Sequence, residues 1–599
     1  TKAKYMNNMF SNCRYLKTIY VSTLWDTSNV TNSAGMFEAC STNLKGDLTW
    51  TTDKATDKTY ATYTMGYLTL KGSVLGNLHY KYNTAEDSFM KSITEINFVR
   101  NDGSIYSDGY TKYDMSKNDD KSIMMYVKDN KAYISSIYQM QFDTLVTYFF
   151  KELSSVKKIT GLELIDTSNA KEFYGMFHYC TKLETISGYE NWDTSKVTTV
   201  EILFCDCEKL QSIDIRKWDL SSVTKMWAMF NHCYSITSIK GLVVSEKVTT
   251  VNCLLNGCRY ITELDTSKWN VKAATVYELM FCECQNLTTL DLSGFDTTNV
   301  TSMNRMFAYC SKLQTIYVSY LWNTNKVTDS TDMFVECHGG LKGDISWVRA
   351  NPVDKTYATY TDGYLTLKEA IIAGISRRYN NDTDSIMKSV KTIKFEANDG
   401  SNYKDYQSFD VSKDLDKSIM MYIDNNMNAY VTSIYQITAT SDSLYHCFKN
   451  FNAVTSITGL ELVDTSEAVF FQSLFEHCVN LLTVSGLENW DTSKVKDFQT
   501  IFSQCTKLKT VDLRNWDFSS AERMRAMFNL CYVLESVQGV YVPSAVINFD
   551  YMFNCCHALT EIDMTNWGDM HLVTNFANAF AYCDGLTTID LSNWNINPS

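Results

Sequence analysis

The sequence predicts a β-rich solenoid built from short strands, turns and short helical segments, with about 26 residues in each coil. Three observations carry this prediction. One motif recurs every 25 to 27 residues, the whole chain repeats once at a longer interval, and β-rich pieces without the motif flank the repeated coils. Together they predict two tandem copies of one capped solenoid, because stacked coils need atypical pieces over their terminal hydrophobic faces.

The short period is marked by a cysteine. The motif reads roughly L-x-x-I-D-(L/T)-S-x-W-D-T-S-x-V-T-x-M-x-x-M-F-x-x-C, as in "LQSIDIRKWDLSSVTKMWAMFNHC" (210–233). A period of this length lies in the leucine-rich-repeat range. The cysteines in the last position of the motif, here called ladder cysteines, are Cys13, Cys40, Cys180, Cys207, Cys233, Cys258, Cys284, Cys310, Cys337, Cys478, Cys505, Cys531, Cys556 and Cys583.

Each part of the motif has a predicted role in the coil. The apolar positions of "LQSIDI" point into the core, and "W-D-T-S" ends the strand because Asp, Thr and Ser bond to nearby backbone groups. The segment ending in "M-F-x-x-C" supplies the opposite wall. A buried Phe contributes about 1.5–3 kcal/mol, but only when neighbouring coils cover it.

The pair Cys205 and Cys207 tests whether any cysteine has a special role. Cys207 is a ladder cysteine and is expected in the core, where a free thiol acts as a small hydrophobe. Cys205 lies off the ladder, where we expect a surface position, and we expect no metal or redox role for the pair, because a structural zinc site needs four convergent ligands. We expect Cys233→Asp to be costly and Cys205→Ser to have little effect. Other coils carry His178, Asn231, Cys282, Ala308 or Glu476 in the place of Cys205.

The cysteines also raise the question of disulfides. Nineteen is an odd number, so at least one thiol is unpaired or joins another chain. Stacked coils lie within disulfide range, which allows neighbouring rungs to pair. We favour mostly free buried thiols, because a disulfide would pull each cysteine away from its place in the core. The cellular compartment does not follow from the cysteines alone.

A second period of about 298 residues covers the whole chain. "YMNNMFSNCRYLKTIYVSTLW" (5–25) matches "SMNRMFAYCSKLQTIYVSYLW" (302–322), and "DKTYATYTMGYLTLK" (57–71) matches "DKTYATYTDGYLTLK" (354–368). Residues 71–88 and 368–385 are predicted linkers, and "VKDNKAY" is a predicted hairpin about an Asp-Asn turn. The predicted domains are 1–75 (two coils and a C-terminal cap), 76–143 (N-terminal cap), 144–345 (eight coils), 346–374 (C-terminal cap and linker), 375–441 (N-terminal cap) and 442–599 (six coils, continuing beyond the chain).

Composition excludes several classes of partner. The net charge of −14 argues against nucleic acid, which is bound through clustered Lys and Arg. No run of about 18 apolar residues is present, so we expect no membrane-spanning segment.

Other tempting motifs are better explained by the repeat. His178, His232, His477 and His557 lie within two residues of a ladder cysteine, but at different offsets, which favours surface variation over a metal site or a Cys–His nucleophile. The Asp-rich loops 100–110 and 397–407 lack the ligand spacing of a calcium loop and are predicted turns. We therefore expect no catalytic, cofactor-binding or metal-binding residues. Glycosylation sequons begin at Asn29, Asn286, Asn299 and Asn381.

The coil motif resembles that of the BspA-like leucine-rich-repeat surface proteins, and among them the Mycoplasma lipoprotein-type repeat branch of unknown function. The piece "DKSIMMYVKDNKAYISSI", with the coil start that follows it, resembles the N-terminal cap of that branch. The resemblance implies an extracellular or cell-surface protein, an adhesin in many members, without enzymatic activity or cofactor.

Two functions remain in view at this point. The first is a structural unit of a surface filament or stalk made of tandem 298-residue units, and the alternative is an adhesin that binds a host or neighbouring-cell protein or glycan. Thr1 corresponds to Thr298 and Asp590 to Asp291, so the chain is cut in mid-coil at both ends. We therefore expect either that the polypeptide continues or that copies of it dock head to tail.

Overall fold

The structure is a computed structural model that describes residues 2–337, 340–565, 567, 570–592, 594 and 596. Thr1 and Ser599, the terminal residues at which we expect head-to-tail docking, lie outside this range. The chain divides into two compact units. The first unit contains Thr1–Ile316 and Asn323–Thr366, and the second contains Tyr317–Trp322 and Leu367–Ser599. The finer domain boundaries given above stay predictions.

Short strands dominate both units. The strands that precede Lys368 in the chain are Ile19–Val21, Leu68–Leu70, Gly72–Val74, Glu95–Val99, Thr111–Asp114, Met124–Lys128, Lys131–Ser135, Gln139–Gln141, Lys158–Thr160, Ile165–Asp166, Thr185–Ile186, Ser212–Asp214, Ser238–Lys240, Thr289–Asp291, Thr315–Val318 and Thr366–Leu367. The remaining strands are Glu369–Ile371, Thr392–Glu396, Gln407–Asp410, Met420–Ile423, Asn428–Thr432, Gln436–Thr438, Ser456–Thr458, Val463–Asp464, Thr483–Val484, Thr510–Asp512 and Ser536–Gln538.

Helices are few and short. The α-helices of the described chain are Leu78–Tyr82 and Ile375–Tyr379. Single 3₁₀ turns are Lys58–Tyr60, Phe89–Ser92, Leu162–Leu164, Tyr189–Asn191, Lys355–Tyr357, Ile386–Ser389, Ser401–Tyr403, Leu460–Leu462 and Leu487–Asn489. Regular helix therefore contributes little to the coils, which are held by turns and by contacts between neighbours.

Each unit contains a six-stranded mixed sheet in its cap. In the first unit Glu95–Val99 pairs in parallel with Lys131–Ser135 on one side and with the coil strand Lys158–Thr160 on the other. Met124–Lys128 and Lys131–Ser135 form the predicted hairpin, with Asp129 and Asn130 at φ values of 50° and 58° in its turn. Because the coil strands extend the cap sheet, the cap covers the first coil through continuous backbone pairing.

The prediction of a linker at residues 71–88 is wrong. This segment contains the strand Gly72–Val74 and the helix Leu78–Tyr82, and Leu78 and Asn83 are fully buried. Its counterpart, residues 368–385, contains the strand Glu369–Ile371 and the helix Ile375–Tyr379. Divergence between the two copies of this segment suggested a linker, but both copies fold as part of a cap.

The core is built from columns of identical side chains. Phe150, Phe177, Phe204 and Phe230 stack with ring centroids 5.1, 5.3 and 5.4 Å apart. The ladder cysteines run beside this column, and the Sγ of Cys207 donates a hydrogen bond to the carbonyl of Phe177, one coil earlier, at 3.2 Å. All nineteen cysteines are free thiols. The ladder position therefore needs a side chain that is small and apolar yet can satisfy a buried carbonyl.

The expectation that Cys205 lies on the surface is wrong. Its side chain is 95% buried, and it packs in a small apolar cluster with Ile202 and Ala228 beside the main core. Cys282, at the same position of another coil, is also buried. Some coils thus have a second, smaller buried position two residues before the ladder cysteine, which the main hydrophobic pattern does not reveal, although Glu38 is exposed at this place.

Candidate assembly site

In the segment that precedes each ladder cysteine, the backbone hydrogen bonds between successive coils run in one direction. The N–H groups of Phe173, Gly175, Phe177 and Tyr179 donate to carbonyls of the next coil at 2.9–3.1 Å. The alternate N–H groups, such as those of His178 and Cys180, instead close turns within their own coil. Positive φ values at Gly175 (57°) and Tyr179 (60°) produce these turns. The N–H groups that leave this segment therefore point towards the C-terminal neighbour, whereas other backbone N–H groups, such as that of Lys171, donate to the preceding coil.

This arrangement makes the two edges of a stack chemically different. An edge of an ordinary β-sheet offers both N–H and C=O groups. In this segment one edge of a stack offers a row of N–H groups, the donor row, and the opposite edge offers a row of C=O groups, the acceptor row. A donor row cannot bond to another donor row. The edges of a coil stack are therefore complementary to each other but not to themselves.

The N-terminal caps cover acceptor rows with donors. In the first unit Asn77 Nδ2 donates to the carbonyl of Thr147 at 2.8 Å, and Asn83 Nδ2 donates to that of Lys151 at 2.8 Å. Between them, the backbone N–H of His79 donates to the carbonyl of Phe149 at 3.1 Å. In the second unit, Ser376 and Asn380 donate to the corresponding carbonyls. The short helix of each cap therefore serves as a donor cap.

The other caps cover donor rows with acceptors. The N–H of Phe37 donates to the carbonyl of Thr56 at 2.8 Å, and the N–H of Phe334 donates to that of Val353 at 2.8 Å. The prediction that the flanking pieces cap the coils thus has a specific chemical form. A cap at the start of a stack supplies donors, and a cap at its end supplies acceptors.

Two rows are open in the described part of the chain. The carbonyls of Tyr5, Asn7, Met9 and Ser11 in the first coil have no described partner, nor do the N–H groups of Asn578, Phe580 and Tyr582 in the last coil. Apolar side chains are exposed beside both rows. Met9 is 48% exposed and Leu591 is 40% exposed, whereas their counterparts Met306 and Leu292 are fully buried.

A contact inside the first unit shows how these two rows fit. Residues 576–583 are the counterpart of residues 277–284, and residues 5–13 are the counterpart of residues 302–310. The coils 277–284 and 302–310 are neighbours. Their backbones are joined by hydrogen bonds from Tyr277, Leu279, Phe281 and Glu283 to Ser302, Asn304, Met306 and Ala308, at 2.8–3.0 Å. The rings of Phe281 and Phe307 stack at 6.0 Å and 2°. The open rows are thus the two halves of an existing interface.

The histidines set aside in the sequence do not all behave alike. His178 and His232 approach the same carboxylate, Asp206, with nitrogen–oxygen distances of 3.5 and 2.9 Å. His477 Nδ1 lies 3.0 Å from Asn450 Oδ1, and His557 Nδ1 lies 2.6 Å from Asp584 Oδ2. Sequence reasoning missed the first pair because it compared positions within one coil. The sequence does contain a signal for this pair, because three successive coils carry His, Asp and His at neighbouring positions of the repeat.

The Asp-rich loops have the contacts of turns. In loop 100–110, Asn101 Oδ1 accepts from the N–H of Gly103 at 2.8 Å and Asp102 Oδ1 accepts from the N–H of Ser104 at 2.9 Å. Loop 397–407 repeats both contacts. These side-chain oxygens therefore serve the loop's own backbone.

Comparison with known proteins identifies the family. The model of a family described as Mycoplasma protein of unknown function, DUF285, matches residues 1–67, 144–262, 243–347, 442–567 and 535–598. These ranges cover well over half of the chain, so the chain belongs to this family. The predicted resemblance to the BspA-like proteins and their Mycoplasma branch is confirmed. The predicted leucine-rich-repeat fold, made mostly of strands with few helices, is also confirmed. No curated protein sequence matches the chain.

Two solved structures are also similar. A leucine rich cell surface protein from Faecalibacterium prausnitzii is 14% identical, covers 82% of this chain and 96% of its own, and has a TM-score of 0.15. A leucine-rich repeat protein from Eubacterium ventriosum is 13% identical, covers 80% and 96%, and has a TM-score of 0.21. At such TM-scores the likeness carries no further structural conclusion. Among the described residues, no helix is long and apolar enough to cross a membrane.

Proposed function

We propose that this chain is a non-enzymatic structural unit of an extracellular or cell-surface filament or stalk. In this proposal, two tandem copies of a 298-residue unit, with coils of about 26 residues, extend an array by adding coil upon coil. Copies of the same chain are its partners, joined head to tail. Membership of a repeat family of unknown function is compatible with this role, and one similar structure is described as a cell surface protein.

The open donor and acceptor rows carry the proposal. The donor row at Asn578–Tyr582 and the acceptor row at Tyr5–Ser11 correspond to coils that bond to each other in the first unit. Since a donor row accepts only an acceptor row, the next coil must arrive in one orientation. In this proposal a second copy of the chain supplies that coil, which gives a polar array.

Two single substitutions test this proposal with the 599-residue polypeptide. Met9→Glu places a charge beside the acceptor row, and Leu591→Glu places one beside the donor row; both side chains are already largely exposed, so the fold should tolerate them. The wild-type protein should form concentration-dependent chains in analytical ultracentrifugation, because docking buries these apolar residues. Each variant alone should remain monomeric. An equal mixture of the two should stop at dimers, joined by the intact rows.

A control substitution separates docking from general solubility. Tyr260 is 58% exposed and belongs to neither open row, so Tyr260→Glu should assemble like the wild type. Dimers formed by either variant alone would show pairing of like edges and would contradict the proposal. A wild-type protein that stays monomeric at every accessible concentration would contradict docking between separate chains of this length.

The alternative role as an adhesin has its own observation. In the second unit, Thr483–Val484 and Thr510–Asp512 are not paired with each other, and a groove of about 620 Å³ lies between their coils. Arg514 and Glu488 line this groove, which suits a glycan or an extended peptide. An adhesin of this kind should bind immobilised oligosaccharides and lose binding in Arg514→Ala. Binding that survives Arg514→Ala would contradict a role for this groove.

A further inference from the structure

Four side chains from three successive coils converge at one point of the first unit. His178, the neighbouring pair Cys205 and Asp206, and His232 belong to consecutive coils. The ligand atoms of His178, Cys205 and Asp206 all lie within 4.8 Å of one another. Stacking of the coils, rather than closeness in sequence, brings these residues together. We infer that they form a binding site for a divalent transition-metal ion of the zinc class.

The distances fit a compact ligand set. Asp206 Oδ2 lies 3.1 Å from Cys205 Sγ and 3.5 Å from His178 Nε2. Zinc bonds of about 2.0–2.3 Å place neighbouring ligand atoms of a tetrahedron about 3.3–3.8 Å apart. The three atoms therefore need only small movements to bind one ion. A thiolate, an imidazole and a carboxylate together favour zinc over calcium or magnesium, which prefer oxygen ligands alone.

The surroundings hold two of these ligands in position. His232 Nδ1 contacts the other carboxylate oxygen, Asp206 Oδ1, at 2.9 Å, which leaves Oδ2 directed at Cys205 and His178. The amide of Asn231 donates to Cys205 Sγ at 3.4 Å, and Asn256 in turn donates to Asn231 Oδ1 at 2.8 Å. Such outer contacts orient metal ligands. His232 thus acts as a positioning residue.

The polar contacts of Asp206 favour an ion at this point, whereas burial opposes the ionised forms of both acidic ligands. Cys205 is 95% buried, and the side chains of His178 and Asp206 are 16% and 15% exposed. His178 Nδ1, which would carry the ring proton while Nε2 binds the ion, is buried without a hydrogen-bond partner among the described residues. Although burial opposes its ionisation, hydrogen bonds from His178 and His232 hold the pKa of Asp206 well below its usual value. Burial raises the pKa of the Cys205 thiol to about 12, although the Asn231 amide favours the thiolate.

Binding therefore includes one proton release. The Cys205 S–H bond breaks, its proton passes to solvent, and a metal–sulfur bond forms, while Asp206 binds as an anion. The small exposed area of His178 and Asp206 leaves a route for the ion, and three protein ligands leave a fourth position for water.

The second unit supplies a natural comparison. At the positions of His178, Cys205, Asp206 and His232 it carries Glu476, Ser503, Gln504 and Leu530. Its asparagine pair persists, with Asn529 donating to Ser503 Oγ at 3.4 Å and Asn554 donating to Asn529 Oδ1 at 2.8 Å. The asparagines are therefore a general feature of the coils, whereas the ligands occur in the first unit alone. Serine is compatible with the fold at the place of Cys205.

Cobalt provides a direct test, because a thiolate ligand gives Co²⁺ a characteristic charge-transfer absorption. After treatment with a chelator, the 599-residue protein should bind one Co²⁺ per chain with this absorption. Added Zn²⁺ should displace the Co²⁺ and remove the absorption. Cys205→Ser, which introduces the side chain found at Ser503, should lose the absorption, as should His178→Ala. Cys282→Ser, at the equivalent buried position of another coil, should retain it. His232→Leu, which introduces the side chain found at Leu530, should weaken affinity about 10–100-fold.

Each remaining outcome overturns the inference. Failure of the wild-type protein to bind Co²⁺ and Zn²⁺ would leave the cluster as an ion-pair network around Asp206. Binding without the sulfur absorption, or an absorption that survives Cys205→Ser, would place the ion elsewhere among the nineteen cysteines. Unfolding curves of each variant without metal should match the wild type closely, which distinguishes lost ligands from lost structure.

Discussion

The ladder cysteine does two things that no other side chain combines at its size. It fills a fully buried position between stacked phenylalanines, and its thiol donates to a carbonyl of the preceding coil, as Cys233 does to Phe204 at 3.1 Å. Burial raises the pKa of the Cys233 thiol well above its usual value, so the thiol stays protonated and able to donate. The chemistry of this position is thus that of a hydrogen-bonding core residue.

Cys233→Asp should destabilise the first unit strongly. The carboxylate would be buried without a partner among apolar side chains, at a cost of about 3–5 kcal/mol. Cys205→Ser should cost about 1 kcal/mol or less, because Ser503 occupies the same position with the same asparagine donor. Urea unfolding followed by circular dichroism measures both changes. Equal losses in the two variants would contradict the distinction between the ladder position and the smaller one.

His79 should make the stability of the first cap depend on pH. Burial lowers the pKa of this histidine from its ordinary 6.5, despite an opposing effect of Glu152. The unfolded chain therefore binds the proton more readily, and stability should fall as the pH drops through the unfolded value near 6.5. In His79→Ser, which introduces the side chain found at Ser376, this part of the dependence should vanish. Urea unfolding at about pH 5 and about pH 8 compares the two; parallel pH profiles would contradict the prediction.

The turn segment W-D-T-S shows how one element joins three coils. Trp192 Nε1 donates to the carbonyl of Leu162 in the preceding coil at 3.0 Å, and the buried Thr194 donates to that of Asp219 in the following coil at 2.9 Å. Asp193 accepts from the N–H of Ser195 and closes the turn itself. Along the motif, the Trp therefore contacts the preceding coil, the Asp closes the turn, and the Thr contacts the following coil.

Thr194→Val tests the forward contact without changing the volume of the side chain. Removal of the hydroxyl leaves the carbonyl of Asp219 without this donor, at a cost of about 1–3 kcal/mol. Ser195→Ala, one residue later and exposed, should change the free energy of unfolding by about 0.5 kcal/mol or less. Chemical unfolding of both variants gives the comparison. A similar cost for both would assign the effect to the turn instead.

The elements that the sequence predicts well are those repeated in register. The apolar positions of "LQSIDI", the turn at Asp193 and the hairpin at Asp129 and Asn130 follow from local patterns. The sequence did not predict the helix Leu78–Tyr82, because this helix caps the coils through hydrogen bonds from Asn77 and Asn83 to backbone carbonyls. Polar residues of this kind are also typical of loops. The convergence at Asp206 was missed because it exists only between coils.

At the scale of the whole molecule, the direction of the hydrogen bonds matters more than their number. In the segment before its ladder cysteine, each coil receives backbone bonds on one edge and sends them from the other, so adding a coil leaves the character of both rows unchanged. Asn77 and Asn83 end a stack with donors, whereas Thr56 and Val353 end one with acceptors. A polypeptide of such coils can therefore be extended indefinitely by one kind of contact, but only in one sense.

Hydrogen exchange should report that contact directly. The N–H groups of Asn578, Phe580 and Tyr582 have no described partner, so they should exchange fast in dilute protein. When the protein assembles at higher concentration, carbonyls of a second copy should protect them. The counterpart N–H groups of Leu279, Phe281 and Glu283 are bonded to the next coil and should be protected at every concentration. Peptide-level mass spectrometry resolves the two segments, and assembly without protection of residues 578–582 would mean that the chains meet through another surface.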